Sequence, residues 1–265
     1  MIKNLPFRNT TIRFEVEGEG KPIVLLHGFM ESLAVWDELS EELSKEFQVI
    51  KIDLLGHGKS GIVGGLHTMD IMAEEVKVVL DYLELDKVMM VGHSMGGYVS
   101  LQFLKDYPQR LSCLVLLHST PLADSEERKR VRDEMIKQIK VGLKVKLSKE
   151  HVQKTFSEHN LDKMVKKVGF MKIVAMNTSN EGIISALEGM KLRPDYREVL
   201  AKAKIPVLII LGKHDKFISL DVLEQIQLPK ESEVLILENS GHQGYIEEKD
   251  KVLEKIREFG KKCRY

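Results

Sequence analysis

The sequence has no excess of charge of either sign, because its 265 residues include 40 lysines and arginines against 40 aspartates and glutamates. A protein that binds nucleic acid needs a strongly basic face to neutralise phosphates, so this balance argues against that class. No apolar run approaches the roughly 20 residues that a membrane-spanning helix requires. We therefore expect neither nucleic acid nor a membrane among the partners of this chain.

Cysteine is scarce: Cys113 lies within an apolar stretch and Cys263 near the end of the sequence, and there are no others. Two cysteines are too few for a disulfide scaffold, and their placement predicts two unpaired thiols rather than a bridge. The first residues also lack the apolar core of a secretory signal. Together these absences predict a cytoplasmic location.

The motifs of metal and nucleotide binding are missing as well. The sequence contains no H-E-x-x-H and no cluster of cysteines and histidines at the spacing of a zinc site. No G-x-G-x-x-G follows an apolar stretch, and the glycine-rich segment at residues 92–97 lacks the lysine of a phosphate-binding loop. We therefore expect no metal and no cofactor.

The sequence does contain a series of short, continuous apolar runs separated by amphipathic segments. Runs of this kind suit strands that are buried on both faces, as in a parallel sheet. Their alternation with helical segments predicts the α/β class with a mostly parallel sheet. The predicted strands lie at residues 23–26, 49–52, 88–91, 111–117, 206–211 and 234–237.

Helices are expected between these strands. The main candidates are residues 69–83 with Thr68 as N-cap, residues 97–105, residues 220–227 with Ser219 as N-cap, and residues 247–259. Residues 121–194 contain no strand-like run and are rich in lysine, glutamate and methionine at helical spacing, so we interpret them as a helical insertion. The basic run Arg128-Lys129-Arg130 within it is interpreted as a solvated helix face.

The segment Gly92-His93-Ser94-Met95-Gly96 fits the pattern G-x-S-x-G between a predicted strand and a predicted helix. A turn this sharp leaves no room for side chains two residues before and after the serine, which explains the glycines. The serine then lies at the tip in a strained conformation, at a helix N-terminus whose N–H groups can stabilise a developing oxyanion. This context predicts that Ser94 is a nucleophile.

A serine nucleophile needs a base, and the base needs an acid that orients it. In an open α/β sheet both groups come from loops at the carboxyl ends of later strands. Asp215 follows the strand at 206–211, and His242 follows the strand at 234–237. The order along the chain is therefore serine, aspartate, histidine.

With these elements the sequence resembles the α/β-hydrolase family over essentially its whole length, and its capped carboxylesterases in particular. The matching motifs are HGF at 27–29, DLLGHGKS at 53–60, GHSMGG at 92–97, GKHD at 212–215 and SGH at 240–242. The resemblance implies an eight-stranded, mostly parallel sheet flanked by helices, with a helical cap inserted after the sixth strand. In that arrangement residues 1–120 and 195–265 form the core domain, and residues 121–194 form the cap.

The same resemblance implies roles for individual residues. Ser94 is the nucleophile, His242 the general base and then acid, and Asp215 the carboxylate that holds the imidazole. The backbone N–H groups of Phe29 and Met95 form the oxyanion hole. Apart from the roles that the resemblance implies, four further residues are expected to bind substrate: Gly28, Met30, His118 and Met171.

Other histidines and carboxylates compete for these roles. His93 directly precedes the serine and should point away from its hydroxyl, and Asp53 is interpreted as organising the turn that follows it. The loop after residues 111–117 offers no carboxylate before Asp124, which favours Asp215 as the acid. Three further histidines are interpreted as structural: His27, His57 and His214.

From these residues and the resemblance we expect a serine hydrolase that cleaves a small, fairly apolar carboxylic ester, thioester or lactone through an acyl-enzyme. Its partner is then a small-molecule acyl substrate, and the oligomeric state stays open. A carbon–carbon bond hydrolase or an acyltransferase could use the same triad, and a ligand-binding receptor with little turnover is a further alternative. Ser94 argues against epoxide hydrolases and haloalkane dehalogenases, which carry an aspartate at that position.

Overall fold

A computed structural model describes residues 1–264 of the chain. Its strands are β1 (Ile2–Phe7), β2 (Thr10–Glu17), β3 (Lys21–Leu26), β4 (Phe47–Ile52), β5 (Val88–His93), β6 (Leu111–Leu117), β7 (Val207–Gly212) and β8 (Ser232–Leu237). They form one sheet in the order β1-β2-β4-β3-β5-β6-β7-β8. Only the pairs β1–β2 and β2–β4 among these strands are antiparallel. The mostly parallel eight-stranded sheet and all six predicted strands are confirmed.

The central strands hold the functional residues at one edge of the sheet. Every residue of β5, β6 and β7 is buried, as continuous apolar runs predict for strands covered on both faces. Parallel strands end at the same edge, so the segments that follow them meet there. Those segments carry Ser94 after β5, His118 after β6, Asp215 after β7 and His242 after β8.

Helices cover both faces of the sheet. They are α1 (Asp37–Leu43), α2 (Met69–Tyr82), α3 (Met95–Asp106), α4 (Glu126–Lys140), α5 (Lys144–Thr155), α6 (Glu158–Leu161), α7 (Val165–Asn177), α8 (Asn180–Leu192), α9 (Arg197–Ala201), α10 (Gly244–Glu247) and α11 (Lys249–Lys262). None of them is both long enough and apolar enough to cross a membrane, within residues 1–264. Thr68 occupies the N-cap position of α2 but makes no side-chain cap hydrogen bond.

Two of the predicted helices differ from those in the structure. Ser219 does act as an N-cap, but the segment that follows it, Leu220–Gln225, is a 3₁₀ helix and not an α-helix. The helix predicted at 247–259 is divided at Glu248, where φ is −130° and ψ is 51°, so that α10 ends before α11 begins.

The chain between β6 and β7 forms helices and loops only. Helices α4 to α8 lie in this insertion, and α4 begins where the Ser125 hydroxyl accepts a hydrogen bond from the N–H of Arg128. Helix α4 packs against α8, and α5 packs against α7. The division into a core of residues 1–120 and 195–265 and a cap of residues 121–194 stays a prediction.

The prediction of two unpaired thiols is wrong, because Cys113 and Cys263 form a disulfide. The amphipathic helix α11 buries Ile256 and Phe259 against the core, and this docking brings the end of the chain to β6. The two Cα atoms are 5.5 Å apart, although 150 residues separate them in sequence. The argument from free thiols to a cytoplasmic location therefore no longer holds, and the location stays a prediction.

Candidate active site

The turn between β5 and α3 holds Ser94 in a backbone conformation that only a constrained site maintains. Its φ is 50° and its ψ is −111°, in the region that side-chain-bearing residues rarely adopt. A Cβ at Gly92 would collide with the carbonyl oxygen of Gly96, and a Cβ at Gly96 would collide with that of Leu26. The glycines therefore allow the strand and the helix to pass at backbone distance, as the pattern predicts.

Asp215 and His242 meet at the carboxyl ends of β7 and β8. The Asp215 Oδ2 atom lies 2.7 Å from His242 Nδ1, and the aspartate side chain is completely buried. Its Oδ1 atom accepts hydrogen bonds from the backbone N–H groups of Phe217 at 2.7 Å and Ile218 at 3.0 Å. Burial by itself raises the pKa of Asp215, but the neighbouring His242 and His118 outweigh it and lower that pKa. The carboxylate is therefore ionised and fixed in orientation.

His118 makes a second hydrogen bond to the same carboxylate. Its Nδ1 lies 3.2 Å from Asp215 Oδ2, and its Nε2 accepts a hydrogen bond from the N–H of Gly244 at 3.2 Å. Because Nε2 accepts, the proton of the neutral ring lies on Nδ1, where it is donated to Asp215. Burial lowers the pKa of His118 to about 4 despite the nearby carboxylate, so the ring is neutral at pH 7.

His93 is a buried cation beneath the site. Its Nδ1 lies 3.0 Å from Glu31 Oε2, and its Nε2 lies 2.9 Å from the carbonyl oxygen of His242. Both partners are acceptors, so both ring nitrogens donate and the ring is an imidazolium. Burial opposes this charge, but Glu31 outweighs burial and raises the pKa of His93. Burial likewise opposes ionisation of Glu31, yet His93 and its hydrogen bonds lower the pKa of that carboxyl to about 2.

Glu31 connects the loop after β3 to the loop that carries His242. Its Oε2 atom accepts a hydrogen bond from the N–H of Gly28 at 2.7 Å, and its Oε1 atom accepts one from the Gln243 side-chain amide at 2.9 Å. Gly28 directly precedes Phe29, whose N–H is one of the two predicted oxyanion donors. A single buried ion pair thus contacts both the oxyanion loop and the histidine loop.

The backbone N–H groups of Phe29 and Met95 donate to no other group within residues 1–264. Met95 is the first residue of α3, where helix geometry provides no intrahelical acceptor. Buried N–H groups without a partner are rare in folded proteins. These two donors are available to an oxygen atom of a bound molecule.

The insertion is attached directly to the histidine loop. The N–H of His242 donates to the carbonyl of Thr155, at the end of α5, over 2.6 Å. Glu247 accepts hydrogen bonds from the Ser157 N–H at 2.9 Å and from the Asn160 amide at 2.8 Å, and its other oxygen accepts one from the Gly241 N–H at 2.8 Å. The loop that holds His242 and the α5–α6 segment therefore form one hydrogen-bonded unit.

Ser94 and His242 both line a small cavity of about 100 Å³ between the sheet edge and the insertion. Phe29 lines it too, and its apolar walls are completed by Tyr98, Val131, Met135, Met190 and Phe217. None of the four residues predicted to bind substrate lines this cavity: Gly28, Met30, His118 and Met171.

The physical reasons for these four placements differ. The Gly28 N–H is engaged by Glu31, and His118 is engaged by Asp215. Met30 is buried at a positive φ of 59°, and Met171 is buried in the core cluster.

The other histidines and carboxylates that were considered for catalytic roles have structural contacts instead. His27 Nε2 accepts a hydrogen bond from the Leu54 N–H at 3.0 Å, and Asp53 accepts one from the Lys59 N–H at 2.9 Å, so both organise loops. Asp124 is ion-paired and buried, and two arginines bind it. His57 is buried beside the His27 ring, and the His214 ring contacts His159.

The part of the cavity formed by α4 carries two cations. Arg128 was predicted to lie on a solvated helix face, and no role was predicted for Arg132. Arg128 and Arg132 line the cavity, and only Arg130 of the basic run is exposed. Their spacing of four residues places both on one helix face, which is the signal that could have found them. No role was predicted for Glu31, because the sequence does not show which histidine a buried glutamate pairs with.

One cluster of side chains has the composition of a metal site. The potential ligand atoms of His118, Asp215 and His242 all lie within 4.8 Å of one another. These atoms are hydrogen-bonded to each other through the Asp215 carboxylate. The cluster is therefore accounted for by a carboxylate that orients two imidazoles.

Comparison with known proteins identifies relatives of this chain. A family sequence model described as "alpha/beta hydrolase fold" matches residues 21–249. The chain is 29% identical to "AB hydrolase superfamily protein YisY" of Bacillus subtilis, over 95% of this chain and 96% of that protein. It is 25% identical to a "Pimeloyl-[acyl-carrier protein] methyl ester esterase" of Aliivibrio fischeri, over 94% of this chain and 97% of that protein.

A solved structure shows the same similarity in three dimensions. The thermophilic esterase of Thermogutta terrifontis, solved with malate bound, superposes with a TM-score of 0.92 and 27% sequence identity. The superposition covers 99% of this chain and 98% of that one.

Proposed function

The chain belongs to the α/β-hydrolase fold family, and from this premise we propose that it is a serine esterase that cleaves a small carboxylic ester through an acyl-enzyme. The observation that carries the proposal is the hydrogen bond of 2.7 Å between Asp215 and His242, whose ring lines one cavity with the strained Ser94. Two relatives named as esterases support the choice of an ester as the bond that is broken.

The acylation step follows from the roles of these groups. Ser94 Oγ attacks the ester carbonyl carbon while His242 Nε2 removes the hydroxyl proton. Asp215 accepts a hydrogen bond from the Nδ1–H group of His242, and this bond holds the imidazole in the required tautomer and stabilises the imidazolium. The carbonyl oxygen becomes an oxyanion, and the otherwise unpartnered N–H groups of Phe29 and Met95 stabilise it.

The intermediate then collapses and the acyl-enzyme is hydrolysed. The carbon–oxygen bond to the alcohol breaks, and the alcohol leaves with the proton that His242 had taken. A water molecule attacks the acyl-enzyme with His242 again as base, and the second collapse returns the proton to Ser94 Oγ. The products are one carboxylic acid and one alcohol, and no external oxidant or reductant is required.

The proposal is tested by hydrolysis of short alkyl esters with wild type, Ser94→Ala and His242→Ala. We expect multiple turnovers with wild type and a loss on the order of 10⁴- to 10⁶-fold in kcat for both variants. His159→Ala is the matched control, since His159 is exposed on α6 and should leave the rate unchanged. Labelling of Ser94 by a serine-directed phosphonate, located by mass spectrometry, measures the nucleophile independently of the substrate chosen.

Turnover that survives in Ser94→Ala would overturn the assignment of the nucleophile. Absence of turnover in wild type together with absence of phosphonate labelling would overturn the proposal that the chain is a serine hydrolase.

A further inference from the structure

The wall of the cavity opposite Ser94 and His242 is formed by α4 and is cationic. Arg128 and Arg132 lie one helical turn apart, and both line the cavity. Val131 and Met135 are their apolar neighbours on this wall. An apolar ester needs only the apolar side chains, because a guanidinium beside an apolar group is desolvated without gaining a hydrogen bond.

The charges of this wall are only partly compensated. Asp124 binds Arg132 through both carboxylate oxygens and also binds Arg193 Nη1 at 2.5 Å, so one carboxylate serves two guanidinium groups. Arg128 donates to the backbone carbonyl of Phe217, and no carboxylate oxygen within residues 1–264 lies within 4.0 Å of its side-chain nitrogens. Arg128 is therefore a half-buried cation whose nearest acceptor is uncharged.

The other titratable groups around the cavity do not neutralise Arg128. Glu31 also lines the cavity, but its oxygens are engaged by His93, Gly28 and Gln243. His151 is packed between the rings of Phe29 and Phe217, and burial lowers its pKa to about 4, so it is neutral at pH 7.

Arg128 also borders a neighbouring surface groove, and that side offers it no counterion either. Asp221 lines this groove, and its carboxylate is farther than 4.0 Å from the guanidinium.

We propose that the cavity selects esters that carry a carboxylate, and that Arg128, assisted by Arg132, binds this carboxylate while the ester carbonyl meets Ser94. The inference rests on the proposed esterase function and narrows its substrate class from fairly apolar esters to acidic ones. Because the cavity is only about 100 Å³, the ester and the carboxylate belong to one short molecule. Half-esters of short dicarboxylic acids and acyl esters of short hydroxy acids have this chemistry.

Two pairs of substrates test whether the carboxylate belongs to the acyl part or to the alcohol part of the ester. Mono-ethyl succinate is compared with ethyl isocaproate, in which an isopropyl group replaces the carboxylate of the acyl part. Carboxymethyl butyrate is compared with isobutyl butyrate, in which the same replacement is made in the alcohol part. Proton release in a pH-stat at pH 7 gives kcat and KM for all four esters with each enzyme variant.

Arg128→Met removes the charge and keeps an unbranched side chain of similar helix propensity. The variant loses a charge-assisted hydrogen bond to the substrate carboxylate, which contributes to the free energy of substrate binding. We therefore expect kcat/KM for one acidic ester to fall about 10- to 100-fold, chiefly through a higher KM. The neutral partner of that pair should change less than threefold, so the acidic-to-neutral preference identifies the part that carries the carboxylate. Arg130→Met is the matched control, because Arg130 is on the same helix and exposed to solvent.

The outcomes separate this inference from the esterase function itself. If wild type hydrolyses the neutral esters as well as the acidic ones, and Arg128→Met changes both alike, the anion site is overturned while the esterase function stands. If no ester is turned over and the phosphonate does not label Ser94, the function fails and the anion site is decided by calorimetry. Mono-ethyl succinate and carboxymethyl butyrate are then titrated into Ser94→Ala and into the double variant with Arg128→Met. Equal affinity or absent binding in both proteins contradicts the inference, and weaker binding in the double variant supports it.

Discussion

The two sides of the cavity are built on different principles. The side formed by the sheet edge, which we call the catalytic floor, consists of Ser94, Asp215 and His242 with the ion pair of Glu31 and His93. The two carboxylates and the His93 ring of the floor already have protein partners, and most of these partners are buried. The side formed by α4, which we call the cap wall, presents a cation that lacks a carboxylate partner.

Under the proposed function, this difference assigns reactivity to the floor and selectivity to the wall. Groups that are held by the protein itself cost no reorganisation during the reaction, which is the property needed to stabilise a transition state. A group whose charge is left for the substrate contributes in the ground state and the transition state alike. We therefore expect floor variants to change kcat for all esters together and wall variants to change the preference among esters.

After the Ser94 and His242 variants, the largest effect is expected from the floor variant Asp215→Asn. The amide cannot stabilise the imidazolium, and it can hold the His242 ring in the wrong tautomer. We expect kcat to fall about 10³- to 10⁴-fold, by the same factor for acidic and neutral esters. Steady-state kinetics on the four esters measures both numbers, and a loss confined to one ester class would contradict the division between floor and wall.

A variant remote from both sides sharpens the comparison by changing stability without changing the site. Cys113 lies in β6, and its bridge to Cys263 closes a loop with a sequence separation of 150. Loop-closure entropy predicts that the double variant Cys113→Ser with Cys263→Ser loses up to about 5 kcal/mol of unfolding free energy. Urea unfolding measures the loss, and kcat at a temperature where the variant is folded should equal that of wild type. A fall in kcat under those conditions would show that β6 transmits strain to the floor.

A smaller effect is expected from Glu31→Gln, which keeps the shape of the side chain and removes its charge. The oxyanion loop and the histidine loop lose a charged acceptor, so we expect kcat to fall about 10- to 100-fold with little change in KM. The fall should be equal for acidic and neutral esters, although Glu31 borders the cavity. A change in the preference among esters would assign Glu31 to selectivity instead.

The same variant makes a prediction about stability and pH. Glu31 has an ordinary pKa of 4.5 and a folded pKa of about 2, so its contribution is present above pH 4.5 and is lost as the pH falls towards 2. His93 has an ordinary pKa of 6.5 and a raised folded pKa, so its contribution is present below pH 6.5 and is lost as the pH rises through the folded value. The stability difference between wild type and Glu31→Gln should therefore be largest between pH 4.5 and 6.5. Urea unfolding at pH 3, 5.5 and 9 measures it, and a difference that does not vary with pH would argue against the ion pair.

Six of the eight strands were predictable because each of them carries a local signal. The apolar runs of β3 to β8 are continuous, and the glycines around Ser94 mark a turn that only close backbone packing requires. The disulfide was not predictable in this way. Its formation depends on where α11 docks, and the helical pattern of α11 shows which face is apolar but not which strand it meets.

The candidate site was predictable only where position along the chain carries the information. Asp215 and His242 follow strands directly, whereas the partners of Glu31 and His118 come from segments far away in sequence. Arg128 was interpreted as solvated because a helix with charges on several faces does not show which face meets a cavity. Methionine at helical spacing does not show this either, since Met190 lines the cavity, whereas Met171, which was predicted to bind substrate, packs in the core.

The attachment of the α5–α6 segment to the histidine loop has a consequence for the order of events in a catalytic cycle. The Thr155 carbonyl accepts from the N–H of His242, and the Glu247 carboxylate accepts from the N–H groups of Gly241 and Gln243 on either side of it. Gly241 has no side chain because the backbone of Ser157 passes directly over it. Separating the insertion from the core at this side would release His242, the proposed general base, from its position. On the proposed mechanism, substrate entry at this side and bond cleavage could then not coincide in time.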